Sequence, residues 1–278
     1  MAVTNLTDES ASPVTQIFYL SIPVEHPLED ATSGAGCRWA EVLELIAESP
    51  GFLRLYWGRQ VEESKKVQLH IVRETLEQNE DFLESALYLD EVLPLIKSLL
   101  TPPHPVHPTI PDIQIWHVHL GQQLAAAAAT TTSNAAAAAT TARGFGLGSL
   151  LGYPVSTALY GNDDDDSWIE GEWLLWADAM RRVEGCKTIA GGRLIKKPVA
   201  AAVKPPTTTG GGGGGGGNGY LIYVGWETLK HDDEYHGSPH FKEQVMVLSS
   251  GGKGFKEYGH VVFQGFKERG NDNGALVA

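Results

Sequence analysis

The sequence predicts an α+β protein in which two ferredoxin-like βαββαβ repeats form a pseudo-dimeric α+β barrel within one chain. Arg73-Glu74-Thr75-Leu76 with Phe82 reappears 153 positions later as Trp226-Glu227-Thr228-Leu229 with Tyr235. Trp39, Gly51 and Gly58-Arg59 reappear 134 positions later as Trp173, Gly185 and Gly192-Arg193. The two offsets differ by about the length of the Ala/Pro/Thr/Gly run at 200–219, so the second copy carries an insertion. Within each copy the apolar periodicity reads strand, helix, strand, strand, helix, strand.

The first strand is Gln16–Ile22, rich in β-branched and aromatic residues and stopped by Pro23. Trp39, Val42, Leu43, Ile46 and Ala47 recur at three- and four-residue spacing and predict a helix to Glu48, ended by Ser49-Pro50-Gly51. Phe52–Arg59 and Val67–Arg73 are the middle strands. A second helical stretch runs from Leu76 to about Leu100, broken near Pro94, and Ile113–Leu120 is the last strand. The second copy follows with strands at Pro154–Tyr160, Cys186–Ile195, Tyr220–Trp226 and Gly259–Phe266, and helices at Trp168–Val183 and from Glu227 to about Val247. The expected organisation is a disordered N-terminus at 1–13, a first repeat at 14–120, an Ala/Thr-rich linker at 121–150, a second repeat at 151–268 with its Gly-rich insertion at 200–219, and a disordered tail at 269–278.

The formal net charge is −13 and the basic clusters are short, so no nucleic-acid partner is expected and no anionic membrane surface. No apolar run reaches the roughly 18 residues of a membrane span, and Met1–Pro13 lacks the basic start and apolar centre of a signal peptide. Cys37 and Cys186 make no disulfide framework and read as free thiols. A cytoplasmic protein is expected. The glycines at 210–217 are followed by no Lys-Ser or Lys-Thr and make no phosphate loop, and Asp163–Asp166 reads as a solvated loop.

Each βαββαβ unit leaves one sheet face bare, and two units bury those faces against each other. Alternation along the strands sorts the residues. Val67, Leu69 and Ile71 fall under the helices, and Gln68 and His70 point to the space between the sheets. In the second copy Tyr220, Ile222, Val224 and Trp226 form the helix-side set, with Leu221 and Tyr223 inside. In the last strands Trp116, Val118 and Val261 are assigned to the helix side. His117, His119 and His260 then share the inner face with His70, His260 at the position equivalent to His117.

Gly225-Trp226-Glu227-Thr228, then Tyr235, Ser238-Pro239 and Phe241, then His260-Val261-Val262-Phe263, resembles the antibiotic biosynthesis monooxygenase domain of the dimeric α+β barrel superfamily. The match is clearest over Tyr220–Phe266, and Arg73 replaces the tryptophan in the first copy. The resemblance implies a barrel of two units, here in one chain. Some members of that family oxidise polycyclic aromatic substrates with molecular oxygen and no cofactor, and others degrade heme. Where heme-degrading members carry their catalytic tryptophan this chain has Tyr235, and where they carry the heme-binding histidine it has Val245. Heme degradation is therefore not expected, nor any cofactor.

The enzyme expectation is a cofactor-independent monooxygenase acting on an aromatic or quinone-like small molecule. A lumenal histidine (His117, His260 or His70) removes a substrate proton, and the resulting anion reacts with oxygen. Tyr223, Tyr235, Trp226 and His119 are the candidate ligand-binding residues. The alternative is a non-catalytic barrel that binds a small apolar ligand or serves as an interaction module. A lumenal pocket of a few hundred Å³ reached by the histidines separates the two. His231, His236 and His240 raise a metal reading, but their spacing diverges around a helix and Gly237-Ser238-Pro239 interrupts it, so no metal site is assigned. A monomeric pseudo-dimer is expected, and further oligomerisation is left open.

Overall fold

The computed structural model describes residues 13–100, 113–120, 151–162, 176–180, 182–195, 218–243 and 252–270, with backbone alone at 160–162, 218 and 252–258. The two low-complexity tracts, both termini, Asp163–Asp166, Trp173 and Val245 lie outside the described residues. The elements are β1 (Val14–Ser21), α1 (Gly34–Glu48), β2 (Phe52–Gln60), β3 (Lys66–Arg73), α2 (Leu76–Glu84), a π-helical segment (Leu87–Val92), α3 (Leu93–Leu99), β4 (Ile113–Val118), β5 (Pro154–Asn162), β6 (Cys186–Arg193), β7 (Asn218–Trp226), α4 (Leu229–Gly237) and β8 (Gly252–Glu268). A helical turn at 176–180 stands where the second copy needs its first helix.

The eight strands form one antiparallel sheet in the order β4-β1-β3-β2-β8-β5-β7-β6. Each half contributes the ferredoxin-like order of its last, first, third and second strands. The sheet closes on itself, because Val118 of β4 bridges Leu194 just past β6, Ile195 N–H donates to His117 O (2.8 Å) and His119 N–H donates to Arg193 O (3.3 Å). The other seam is the β2–β8 ladder, from Arg54↔Glu268 to Gln60↔Val261. Matching positions take matching places: Val61 N–H donates to His260 O (2.9 Å) as Ile195 N–H does to His117 O.

Local chemistry accounts for the helices. Ser33 caps α1 by accepting from Gly36 N–H, and Trp39, Val42, Leu43 and Ile46 form its buried stripe. α2 begins with a capping box between Thr75 and Gln78, and Thr228 caps α4 in the same way by accepting from His231 N–H. The helical stretch after Leu76 breaks at Ser85, nine residues before the expected Pro94, because Ser85 turns extended and its N–H and hydroxyl both bond Phe82 O. Pro94 instead stands at the junction where the π-helical segment runs into α3, with helical backbone at Val92 and Leu93 on its N-terminal side. Strand β8 is longer than the periodicity predicts.

Two cores result. Phe18, Leu20, Trp39, Leu43, Val67, Leu69 and Ile71 pack with α1, α2 and α3 on the outer face of the first half. Ile17, Tyr56, Val118, Val155, Tyr223, Val261 and Phe263 fill the barrel interior and merge with the outer core of the second half around Trp226 and Tyr235. Among the described residues, no helix is long and apolar enough to cross a membrane.

Candidate functional site

Strand register sends the predicted site residues to four places. Only His70 and Tyr223 face the lumen as expected. They occupy equivalent strand positions, and Tyr223 OH lies 3.4 Å from His70 Nε2 with the rings edge-on. His70 Nε2 also faces Gln68 Oε1 (3.1 Å), and Phe263 packs edge-on against its ring. Its Nδ1 carries no hydrogen bond. Burial pushes the imidazole down to about 3, so it is uncharged at neutral pH. The lumen around it is packed: the cavity lined by Tyr19, Gln60, Trp116, Thr157, Leu159 and Leu221 holds about 10 Å³, room for about one water, and no histidine lines it.

His117 and His260 do not reach the lumen. Residues directly opposite in an antiparallel ladder share a face. Gln16 lies opposite both His117 and helix-side Ile71, and Ser156 lies opposite both His260 and helix-side Val224. Both histidines therefore lie under the helices, while Trp116, Val118 and Val261 point inward, the reverse of the sequence expectation. The expectation put the apolar residues of β4 and β8 under the helices, but the lumen is itself an apolar, largely aromatic core and takes that set. His119 continues beyond β4 at the closing seam, where its N–H and carbonyl face the β6 segment.

Under α2, His117 joins a polar nest. Arg73, Gln16, Asn79 and Ser49 are buried there; Arg73 Nη1 donates to Asn79 Oδ1 (3.0 Å) and Gln16 Oε1 (3.4 Å), and Nη2 to Ser49 Oγ (2.9 Å). Because Gln16 turns its oxygen to Arg73, its amide nitrogen donates to His117 Nε2 (2.9 Å). Burial, and then the Arg73 charge, push His117 down to about 4.

Under α4, His260 lies between two carboxylates. Its Nε2 meets Asp232 Oδ2 at 2.6 Å, and its Nδ1 closes on Glu62 Oε1 from the first half. Glu62 Oε2 also accepts from His260 N–H at 2.9 Å. Burial alone lowers the imidazole, but the hydrogen bonds and charges of Asp232 and Glu62 outweigh it and hold His260 above its ordinary value. For Glu62, burial raises and the His260 contacts lower more, leaving it below the usual carboxylate range.

Beside this clasp stands an aromatic group. Trp226 Nε1 donates to Ser156 Oγ (2.9 Å), Trp226 and Tyr235 rings lie 5.6 Å apart, and Tyr235 packs edge-on against Phe241 (5.3 Å). The structure thus brings predicted Trp226, Tyr235 and His260 to one side of one sheet. Asp232 and Glu62 were missed as partners of His260; the helix position of Asp232, four after the Thr228 cap, was the available signal. His231 and His236 bond Thr228 Oγ1 (3.0 Å) and Asp232 O (2.9 Å), and among the described residues no three His, Cys, Asp or Glu side chains converge as metal ligands.

No protein-family model matches the chain, and no curated protein sequence matches it. Solved structures do match in fold. An anthrone oxidase-like protein aligns over 94% of this chain and 95% of its own, with 13% identity and a TM-score of 0.59. A candidate monooxygenase from Fusobacterium nucleatum aligns over 93% and 95%, with 7% identity and a TM-score of 0.53.

Proposed function

We propose, for a chain that carries the dimeric α+β barrel fold, a non-catalytic barrel that binds a small aromatic or apolar molecule at the α4 face of its second half. The observation behind this reading is the state of the three candidate bases. His70 and His117 are buried and weakly basic, and His260 has both ring nitrogens occupied by carboxylates. A general base works best near the operating pH and with a ring nitrogen open to the substrate; His70 and His117 lie well below that pH, and His260 has both ring nitrogens on carboxylates. Trp226 and Tyr235 are buried in the core of the second half, and half-buried Phe241 at the edge of that cluster supplies the stacking face for a flat ligand.

A calorimetric titration of the full chain with a panel of polycyclic phenols and quinones, beside an oxygen electrode, tests this. Saturable binding without oxygen uptake is expected, and Phe241→Ala weakens binding about tenfold, the worth of one aromatic contact. No saturable binding to any member of the panel removes the reading.

The second reading, a cofactor-independent monooxygenase, draws on two supports. One is the kinship in fold with proteins described as anthrone oxidase-like and monooxygenase. The other is the meeting of the Asp232–His260 pair with Trp226 and Tyr235 under one helix. Oxygen uptake that disappears in His260→Ala selects it over the first.

A further inference from the structure

We propose that Arg73 is the cation of a small-anion site in the first half of the barrel, taking a planar carboxylate-type monoanion on its Nε–Nη2 edge. Arg73 is fully buried, and each of its three hydrogen bonds goes to a neutral oxygen: Asn79 Oδ1, Gln16 Oε1 and Ser49 Oγ. The face of Phe82 also lies 4.0 Å from the guanidinium carbon. Among the described residues no carboxylate pairs with it. A buried charge is tolerated when an opposite charge and full hydrogen bonding offset its desolvation, and here only the second is attempted.

The second half shows what a compensated version looks like. Asp232 stands four residues after the Thr228 cap and places a carboxylate on the His260 imidazole. Asn79 stands four residues after the Thr75 cap and presents an amide to Arg73. The first half therefore gains a cation where the second has Trp226, and lacks the anion the second has at Asp232. The backbone accepts a carboxylate at this helix position, so the amide reflects no steric limit.

The guanidinium edge defines the ligand. Nε and Nη2 together form the side-on fork that grips a carboxylate with two parallel hydrogen bonds. In this structure Nε has no hydrogen-bond partner, and Nη2 holds only the Ser49 hydroxyl. Ser49 is also bonded to Ile46 O at the end of α1 and keeps that partner when displaced. A small anion replaces one neutral oxygen, satisfies Nε, and supplies the missing charge. Bulky or tetrahedral dianions do not fit a nest whose members are all buried.

Sodium formate serves as the probe, titrated against sodium chloride at matched ionic strength, with thermal unfolding of the full chain as readout. Formate is expected to raise the unfolding temperature of the native protein saturably, by about 2–4 °C over chloride. Asn79→Asp installs an internal carboxylate beside Arg73 and is expected to abolish the formate increment; Arg73→Gln is expected to abolish it as well. An equal formate response in the native protein and Asn79→Asp, or none in the native protein, overturns the proposal. Should Arg73→Gln fail to fold, the comparison with Asn79→Asp decides alone. Aromatic binding and oxygen uptake are read separately, so this site can fail without touching the function proposed above.

Discussion

One residue type meets three fates in this barrel, and charge follows burial and partners. His70 sits edge-on to Tyr223 and Phe263 with no charge nearby, His117 beside a fixed guanidinium, and His260 between two carboxylates. Their linkage to pH runs in opposite directions. His260 is raised in the folded state, so its stabilisation is complete below the unfolded value of about 6.5 and is lost as pH rises through the folded one. His70 and His117 are depressed, so the unfolded chain binds their protons first. Stability then falls as pH drops from about 6.5 toward 4, by up to about 1.4 kcal/mol per pH unit for each. Unfolding temperature against pH is therefore expected to peak near neutrality. His260→Gln should flatten the alkaline limb alone and His70→Gln the acid limb alone. Identical curves for the two variants would refute the assignment.

At the scale of elements, strand and helix positions were legible because apolar spacing and capping residues are local signals. The α1 stripe, the start of α2 at Leu76 and the helix-side set Val67, Leu69 and Ile71 lie where the sequence places them, whereas α4 starts at Leu229, two residues after the expected Glu227, because Thr228 caps it. The facing of β4 and β8 was not legible, because β4 gives Ile113 and Ile115 to one core and Trp116 and Val118 to the other, and β8 runs Val261-Val262-Phe263 without a polar break, so alternation carries no sign. Two glycines mark what register requires. A Cβ on Gly58 would stand 2.1 Å from Val262 O, and one on Gly192 2.0 Å from His119 O, so each lets the strand across a seam approach closely. The obstacle in both cases is backbone, which has little room to give. Gly58→Ala is expected to destabilise the β2–β8 seam by at least about 2 kcal/mol in denaturant melts. Exposed Gly152, with nothing near its Cβ position, is the control for chain-entropy effects, although its φ of 79° adds a small strain of its own. Equal losses at Gly58 and Gly152 would refute the close-approach account.

For the molecule as a whole, the two seams that close the barrel are unequal. The β2–β8 seam is a ladder reinforced by ion pairs: Glu62 to His260, Arg54 to Glu268 (3.6 Å), Arg269 to Glu74 (2.8 Å) and Lys267 to Glu44. Several of these are exposed and individually weak, but they sit along one strand. Among the described residues, the β4–β6 seam has a single bridge and two flanking hydrogen bonds. Local opening begins where few bonds must break together, so the barrel parts first at β4–β6, with β2–β8 as the hinge. The amides of Ile195 and His119 are expected to exchange with solvent faster than that of Val61 at the other seam. Val118 and Leu194 form a non-hydrogen-bonded antiparallel pair, the closer kind across a ladder, and suit a cross-link. In a background with Cys37 and Cys186, neither of them in a disulfide, replaced by serine, V118C with L194C should oxidise readily and stabilise by about 2–4 kcal/mol. It should also slow exchange at Ile195 to the rate of the opposite seam. A bridge that forms and leaves that exchange unchanged would place the opening elsewhere, and the lumen would then be reached by another route.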